Sequence, residues 1–358
     1  MREELRKRCE LFVENRDIIK SAFAWESAYV YPMCSGILTA RGVRADTQRL
    51  MECRDILKAN TGVFSNFRGV SRLAVIAMLS LNADAGLMMA QMLELYGKLK
   101  EFFWGSEYLT VAAATIAEMA EPSGYDEIIN KTSSIYNRMK TAHPFLTSGE
   151  DSAFAALLAM SELDDSCIER EMEQCYSILK PYFFSGNSVQ SLSHILALGE
   201  GSAEQKCRKA LEIFDALKAR GLKYGTGYEL ATLGVLTLLD VDRNLLIQDI
   251  TDAEAFLKGQ KGFGAFGVGS RQRLMYAGMM ASCDYVPDLH SMQTAALNGV
   301  VALVIAQQAA ICASAAAASA AAAASSSGSV NLKEYTELSS LFSRFILIRR
   351  RIPSSRPC

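Results

Sequence analysis

Ile128-Ile-Asn-Lys-Thr-Ser-Ser-Ile-Tyr-Asn-Arg-Met-Lys140 and Ile168-Glu-Arg-Glu-Met-Glu-Gln-Cys-Tyr-Ser-Ile-Leu-Lys180 close in the same way, 40 residues apart. Offsets 0, 4, 7, 8 and 11 hold Ile128, Thr132, Ile135, Tyr136 and Met139 in the first. They hold Ile168, Met172, Cys175, Tyr176 and Leu179 in the second. That spacing is one stripe of an α-helix and not the two-residue alternation of a strand. Each stretch therefore predicts an amphipathic helix with one face packed and the other in water.

Working outward, the same face recurs as Met88, Met92, Leu95, Tyr96, Leu99, and as Ala210, Ile213, Phe214, Leu217. A large apolar residue followed by lysine ends each copy, at Leu57-Lys58, Leu99-Lys100, Met139-Lys140, Leu179-Lys180, Leu217-Lys218 and Leu257-Lys258. The outermost copies fit less well, with Arg54 and Glu254 at the aromatic position. Atypical end units are expected where a stack has an uncovered side.

Between these outer helices lie nearly uncharged segments centred on Leu73, Val111, Phe154, Leu192, Leu230 and Leu274. A helix apolar all round is a buried helix. Short turns marked by Asp84, Asp164-Asp165, Glu200-Gly201 and Asp240 join the two kinds, and no stretch alternates like a strand. The expected fold is all-α: a two-layer α-hairpin repeat of about six to seven hairpins, each of roughly 40 residues. It can close as an α/α ring or stay open as a HEAT-like solenoid, and the period does not choose between them.

Half of the 358 residues are hydrophobic and 21% are charged, which suits a folded protein with a large core. The net charge of −2 offers no global field for nucleic acid or an anionic membrane, so neither partner is implied by the bulk of the chain. The nine cysteines are scattered and include no CxxC pair. This argues against a disulfide framework or a zinc site. Met1-Arg-Glu-Glu-Leu-Arg-Lys-Arg lacks the apolar core of a signal peptide. Both features point to the cytoplasm, and no cofactor or metal is implied.

The expected domains are an α-hairpin region over 1–318, an Ala/Ser-rich low-complexity linker over 319–330 and a basic tail over 331–358. Residues 294–318 are long enough to span a bilayer. Their alanines are barely favoured in hydrocarbon, however, and Asn298, Gln307 and Gln308 interrupt them. A packed helix is the preferred reading there.

His143-Pro-Phe-Leu-Thr-Ser-Gly-Glu-Asp, Ser191-Leu-Ser-His-Ile-Leu-Ala-Leu and Arg273-Leu-Met-Tyr-Ala together resemble the uncharacterised bacterial family named domain of unknown function four thousand and three. The resemblance covers roughly residues 5 to 315. It implies a helical fold and carries no activity with it. Phe256-Leu-Lys-Gly-Gln-Lys-Gly-Phe-Gly-Ala-Phe-Gly looks like the turn repeated in prenyltransferase β-subunits and terpenoid cyclases. It occurs once, and Cys283, Asp284 and His290 do not reproduce the zinc ligands of the prenyltransferases.

Each hairpin reverses direction twice, so the loops leading from outer to inner helices should share one edge. That edge would hold the candidate binding residues His143, Ser148, Glu150, Asp151, Asn187, Gln190, Tyr228, Arg271 and Arg273. Free N–H groups at the inner-helix starts would favour an anion or carboxylate there. Ser148 or Thr147 with Glu150 or Asp151 also reads as a capping box, and Asn187, Ser188 and Thr226 as caps. His194 reads as a core histidine. Tyr96, Tyr136, Tyr176 and Phe214 should form a continuous aromatic seam between the layers. The functional expectation is a protein- or peptide-binding module. The alternative is an enzyme of the α/α-ring type with its site on the same edge.

Overall fold

Amphipathic and apolar helices alternate throughout the computed structural model, which describes residues 1–24, 26, 30–264 and 267–285. The chain divides into two units, Met1–Ala313 and Ser314–Cys358. The second unit and the segment 294–318 lie outside the described residues, as do the boundaries at 318 and 330. Fourteen α-helices and no strand occur among the described residues. The first pair is α1 (Glu3–Ala22) and α2 (Val30–Ala40), followed by α3 (Thr47–Asn60) with α4 (Arg72–Ser80). Next come α5 (Ala85–Leu99) with α6 (Glu107–Met119), α7 (Tyr125–Ala142) with α8 (Asp151–Ala159), and α9 (Asp165–Leu179) with α10 (Gly186–Leu196). The last pairs are α11 (Ala203–Ala219) with α12 (Leu230–Leu238) and α13 (Arg243–Lys258) with α14 (Ser270–Ser282). No described helix is long and apolar enough to cross a membrane.

Odd-numbered helices bury one stripe, such as Ile168, Met172, Cys175 and Leu179 of α9. Even-numbered helices are buried nearly all round, as in Asp151–Ala159 and Leu230–Thr237. Odd helices pack on the next odd helix and even on the next even, giving an outer and an inner layer. The helices end within a few residues of the six lysines singled out above. A seventh such ending, Ile19-Lys20 in α1, was hidden because its stripe carries Arg8, Asn15 and Arg16. Buried Asn15 is satisfied by Thr39 Oγ1, the Val43 carbonyl and the Ala45 N–H, so its polarity costs little there.

The first hairpin also packs on the last described one. Helix α1 touches α13 and α14, and α2 touches α14. Fully buried Phe12 lies 5.8 Å from Phe263 and 5.4 Å from Tyr276. Arg2 donates to Asp249 at 3.0 Å and to Asp284 at 3.3 Å, and Arg8 reaches Asp284 at 2.9 Å.

Asp46, Asp84, Asp164, Ser202 and Asp242 cap outer helices by accepting backbone N–H bonds. Three expected caps are corrected. Asn187 and Ser188 sit inside α10, whose cap is Ser185. Thr226 lies ahead of Glu229, the cap position of α12.

The aromatic seam takes another form. The four rings are half-buried, and each meets a loop that precedes its own helix. Tyr96 packs edge-on against Phe67, Tyr136 against Phe103, Tyr176 against His143 and Phe214 against Phe183. The outer-helix aromatic therefore fixes the loop of the preceding hairpin. At the same register of α1, Arg16 stacks 4.8 Å over Phe263 and donates to the Lys261 carbonyl at 2.8 Å. The contact that links successive hairpins is thus also made between the last hairpin and the first.

Candidate functional site

Lys140, in the last turn of α7, donates to the carbonyls of Pro144 and Thr147, both at 2.7 Å. A lysine at a helix C-terminus satisfies exposed carbonyls and complements the helix dipole. Here it folds the Pro144–Thr147 segment back onto its own helix. Thr147 Oγ1 donates to the Met139 carbonyl at 3.0 Å and accepts from Gln190 Nε2 at 3.0 Å, tying this loop to α10. Asp151 Oδ2 accepts the Ser148 N–H at 2.8 Å, which is half of the expected capping box. Asn187 Nδ2 donates to Glu150 Oε1 at 3.5 Å, the outer limit of a hydrogen bond. The structure thus brings Ser148, Glu150, Asp151, Asn187 and Gln190 together at the start of α8 and α10.

Below them lies a buried acid–base pair. His194 Nδ1 stands 3.7 Å from Asp151 Oδ1, and both side chains are almost wholly buried. The distance would suit an ion pair, but burial works against both charges. Burial pushes the Asp151 carboxyl up to about 7, with Glu150 raising it further and the Ser148 N–H pulling it down. Burial lowers His194 to about 3, with His143 adding to the shift. Two neutral groups in contact is the consistent state near pH 6. Gln190 Oε1 and His194 Nδ1 have no hydrogen-bond partner among the described residues, an uncommon condition for buried polar atoms. The ring of Phe154 closes on His194 at 5.3 Å.

The remaining expected residues divide. His143 bonds Glu173 at 3.0 Å with its ring 4.3 Å from Tyr176, so it anchors a loop. Tyr228 bonds Gln272, joining the starts of α12 and α14, and Arg271 is exposed beside it. Arg273 is buried against Glu254 at 2.6 and 2.8 Å and the Phe263 carbonyl at 2.7 Å. These contacts give it a structural part. They also explain Glu254 at a position that is aromatic in other hairpins.

Sequence reading missed a related set. Glu107 accepts the N–H groups of Val70 at 2.8 Å and Ser71 at 3.2 Å, capping α4 from the next hairpin. Ser71 and Thr110 hydroxyls bond at 2.9 Å. Arg72 pairs with Glu26, and Glu229 accepts the Gly227 N–H at 3.2 Å. Arg72, Glu107, Glu150, Asn187, Glu229 and Arg271 all stand at or next to the first turn of an inner helix. Aligning those first turns was the signal that could have found them. Bonds of this kind join the outer-to-inner junctions of α2 and α4, α4 and α6, α8 and α10, and α12 and α14, and we term the polar residues at these junctions the collar. Among the described residues, no group of three His, Cys, Asp or Glu is placed to hold a metal ion.

The uncharacterized protein YeaA of Bacillus subtilis (strain 168) is 24% identical to this chain over 254 residues, 68% of this chain and 77% of that one. No solved structure matches. The model of the family described as "Protein of unknown function (DUF4003)" matches residues 15–309, most of the chain with all the inner helices and the collar, and the protein belongs to that family.

Proposed function

We propose that the described residues of the first unit form a closed α/α ring of seven hairpins that works in the cytoplasm as a binding module for a protein or peptide segment. Closure is supported by the packing of α1 and α2 on α13 and α14. Arg16 on Phe263 supports it too, because it renews the contact made between successive hairpins. A HEAT-like arc would leave those surfaces uncovered. The cytoplasmic reading is supported by the seven described cysteines. All are free, including Cys207, whose thiol donates to the Cys175 carbonyl at 3.7 Å rather than forming a disulfide.

The observation that carries the binding reading is the mixed collar. Carboxylates (Glu107, Glu150), guanidinium groups (Arg72, Arg271), an amide (Asn187) and a phenol (Tyr228) stand at the inner-helix starts. Such a set matches the donors, acceptors and charges of a peptide better than it matches one small ion. The test is site-specific photo-crosslinking in cells from Asn187 and Arg271, with Asp126 in the first turn of outer helix α7, at the opposite end of the hairpins, as control. A defined partner captured from the first two positions supports the reading. Equal capture from Asp126, or none from the collar, defeats it.

The enzyme reading rests on Asp151 and His194, a buried pair able to hold a proton at near-neutral pH. It predicts a metabolite that stabilises the protein in a thermal-shift screen and no longer does so in Asp151→Asn.

A further inference from the structure

Four successive outer-to-inner loops each leave one aromatic ring almost wholly in solvent. Phe64 is 101% exposed, Trp104 87%, Phe145 98% and Phe184 101%. Val63, Phe102 and Tyr182 beside them are at least half exposed. Chain packing does not require this, because each loop already packs its own anchor: buried Phe67, Thr147 and Phe183, and half-buried Phe103. The exposed rings recur at intervals of 39 to 41 residues, so all four stand at the same end of their hairpins.

The charge of that edge is one-sided. From the last-turn lysine to the inner-helix start, the six loops beginning at Lys58, Lys100, Lys140, Lys180, Lys218 and Lys258 also carry Arg68, Arg220, Lys223 and Lys261. Glu101 is the one exposed carboxylate among their described residues. Glu107, Glu150, Glu229 and Asp151 are drawn in by the bonds above. None of the six lysines is paired with a carboxylate among the described residues; Lys140 and Lys180 donate to neutral carbonyls, which leaves their charge in place. The opposite turns are mainly acidic, with Asp46, Asp84, Glu121, Glu162, Asp164, Glu200, Asp240 and Asp242 against Arg41 and Arg44. A chain of net charge −2 therefore presents a basic, aromatic edge and an acidic one.

We infer that the basic edge docks on an anionic phospholipid surface, with Phe64, Trp104, Phe145 and Phe184 entering the headgroup region. Lysines beside apolar rings are the pairing an anionic interface rewards. The rings are too separately exposed to wall a common groove, as a bound helix or strand would need. Helices in a layer stand about 8–10 Å apart, so four tips span about 30 Å, and a fluid interface takes isolated tips over that width. Docking is an interaction of the rim and is independent of what the collar binds.

The test is co-sedimentation of the full chain with vesicles of phosphatidylglycerol and phosphatidylcholine, against phosphatidylcholine alone. Trp104 emission is followed in parallel in a Trp25→Phe background. Expected results are binding to the anionic vesicles only, a blue-shifted Trp104, and release as salt rises. Lys58→Gln, Lys223→Gln and Lys261→Gln should each lower the partition about fivefold, from about 1 kcal/mol per basic residue. Changing Phe64, Trp104, Phe145 and Phe184 together to serine should lower it more than about tenfold while leaving the melting temperature unchanged, because the rings touch little of the fold. Three results each overturn the proposal: no binding at low salt, full binding by the serine variant, or a dimer without vesicles that the serine variant dissolves. Ring-dependent binding of single-stranded nucleic acid in place of vesicles overturns it as well.

Discussion

Phe12→Ala tests whether the hairpins close. Phe12 is fully buried between Phe263 at 5.8 Å and Tyr276 at 5.4 Å, so its contacts join the first hairpin to the last. Truncating a buried phenylalanine removes its transfer free energy and leaves a cavity, costing about 3–5 kcal/mol. Each lost ring pair contributes about 0.5–1.5 kcal/mol of that. Phe67 is the internal standard, being equally buried and 5.2 Å from Tyr96 within the stack. In a closed ring α1 is no more terminal than α5, and both variants should lose about the same stability. In an open stack α1 could detach locally, and its packing would contribute little to the global unfolding free energy. Urea unfolding gives the two losses, and native-state hydrogen exchange shows whether α1 and α14 open together. A loss below about 1 kcal/mol for Phe12→Ala, beside the full loss for Phe67→Ala, would refute closure.

Asp151→Asn should alter the pH dependence of stability. The folded carboxyl, raised to about 7, favours the protonated form, so its contribution is fully present below the unfolded value near 3.8 and is lost as pH rises through 7. The Asp151 contribution should therefore fall between about pH 4 and 7, so the stability difference between wild type and variant should change across that window, as read by thermal melts; parallel curves would show that Asp151 is not the titrating group. His194, lowered to about 3, acts in the other direction: its contribution is present above 6.5 and falls away as pH drops, a loss that His194→Gln should remove. Gly234 of α12 would place a Cβ 2.7 Å from Ile195, so Gly234→Ala should lose about 1–3 kcal/mol to overpacking against a gain of about 1 kcal/mol in helix propensity. Gly97→Ala, with open space around it, should gain about 0.5–1 kcal/mol, and equal effects at both glycines in denaturant unfolding would contradict the close inner-layer approach. Tyr136→Ala should cost about 2–3 kcal/mol in the same assay, below the full-burial range, because the ring is half-buried against Phe103.

The helices were legible because burial repeats at the helical period. A stripe such as Ile168, Met172, Cys175, Leu179 has one physical explanation, and lysine after the last apolar residue completes it by meeting the carbonyl end of the dipole. The pattern weakened where a polar residue took a core register and found partners from distant segments. Asn15 is paid by Thr39, Val43 and Ala45, and Glu254 by Arg273. Both look like breaks in a stripe and both are buried parts of the packing. Nothing local reveals that Arg16 meets Lys261 and Phe263, because the two ends of the described unit are joined only in three dimensions.

The candidate site was harder to read for a related reason: its members also satisfy helix ends. Glu107 looks like an acid in the first turn of α6, yet its carboxylate caps α4 from 36 residues away. Asp151 looks like a capping-box acid and does accept the Ser148 N–H, while its other oxygen faces His194, 43 residues on. The polarity of the two edges arises in the same way. Every aspartate cap and every terminal lysine is explained locally by one helix dipole. Since the outer helices run in one direction, those local choices add to a field that no single loop contains. The exposed rings at Phe64, Trp104, Phe145 and Phe184 differ in kind, because no helix end needs them. They are the features of this edge that packing and capping leave without a cause, and a function of the edge must account for them.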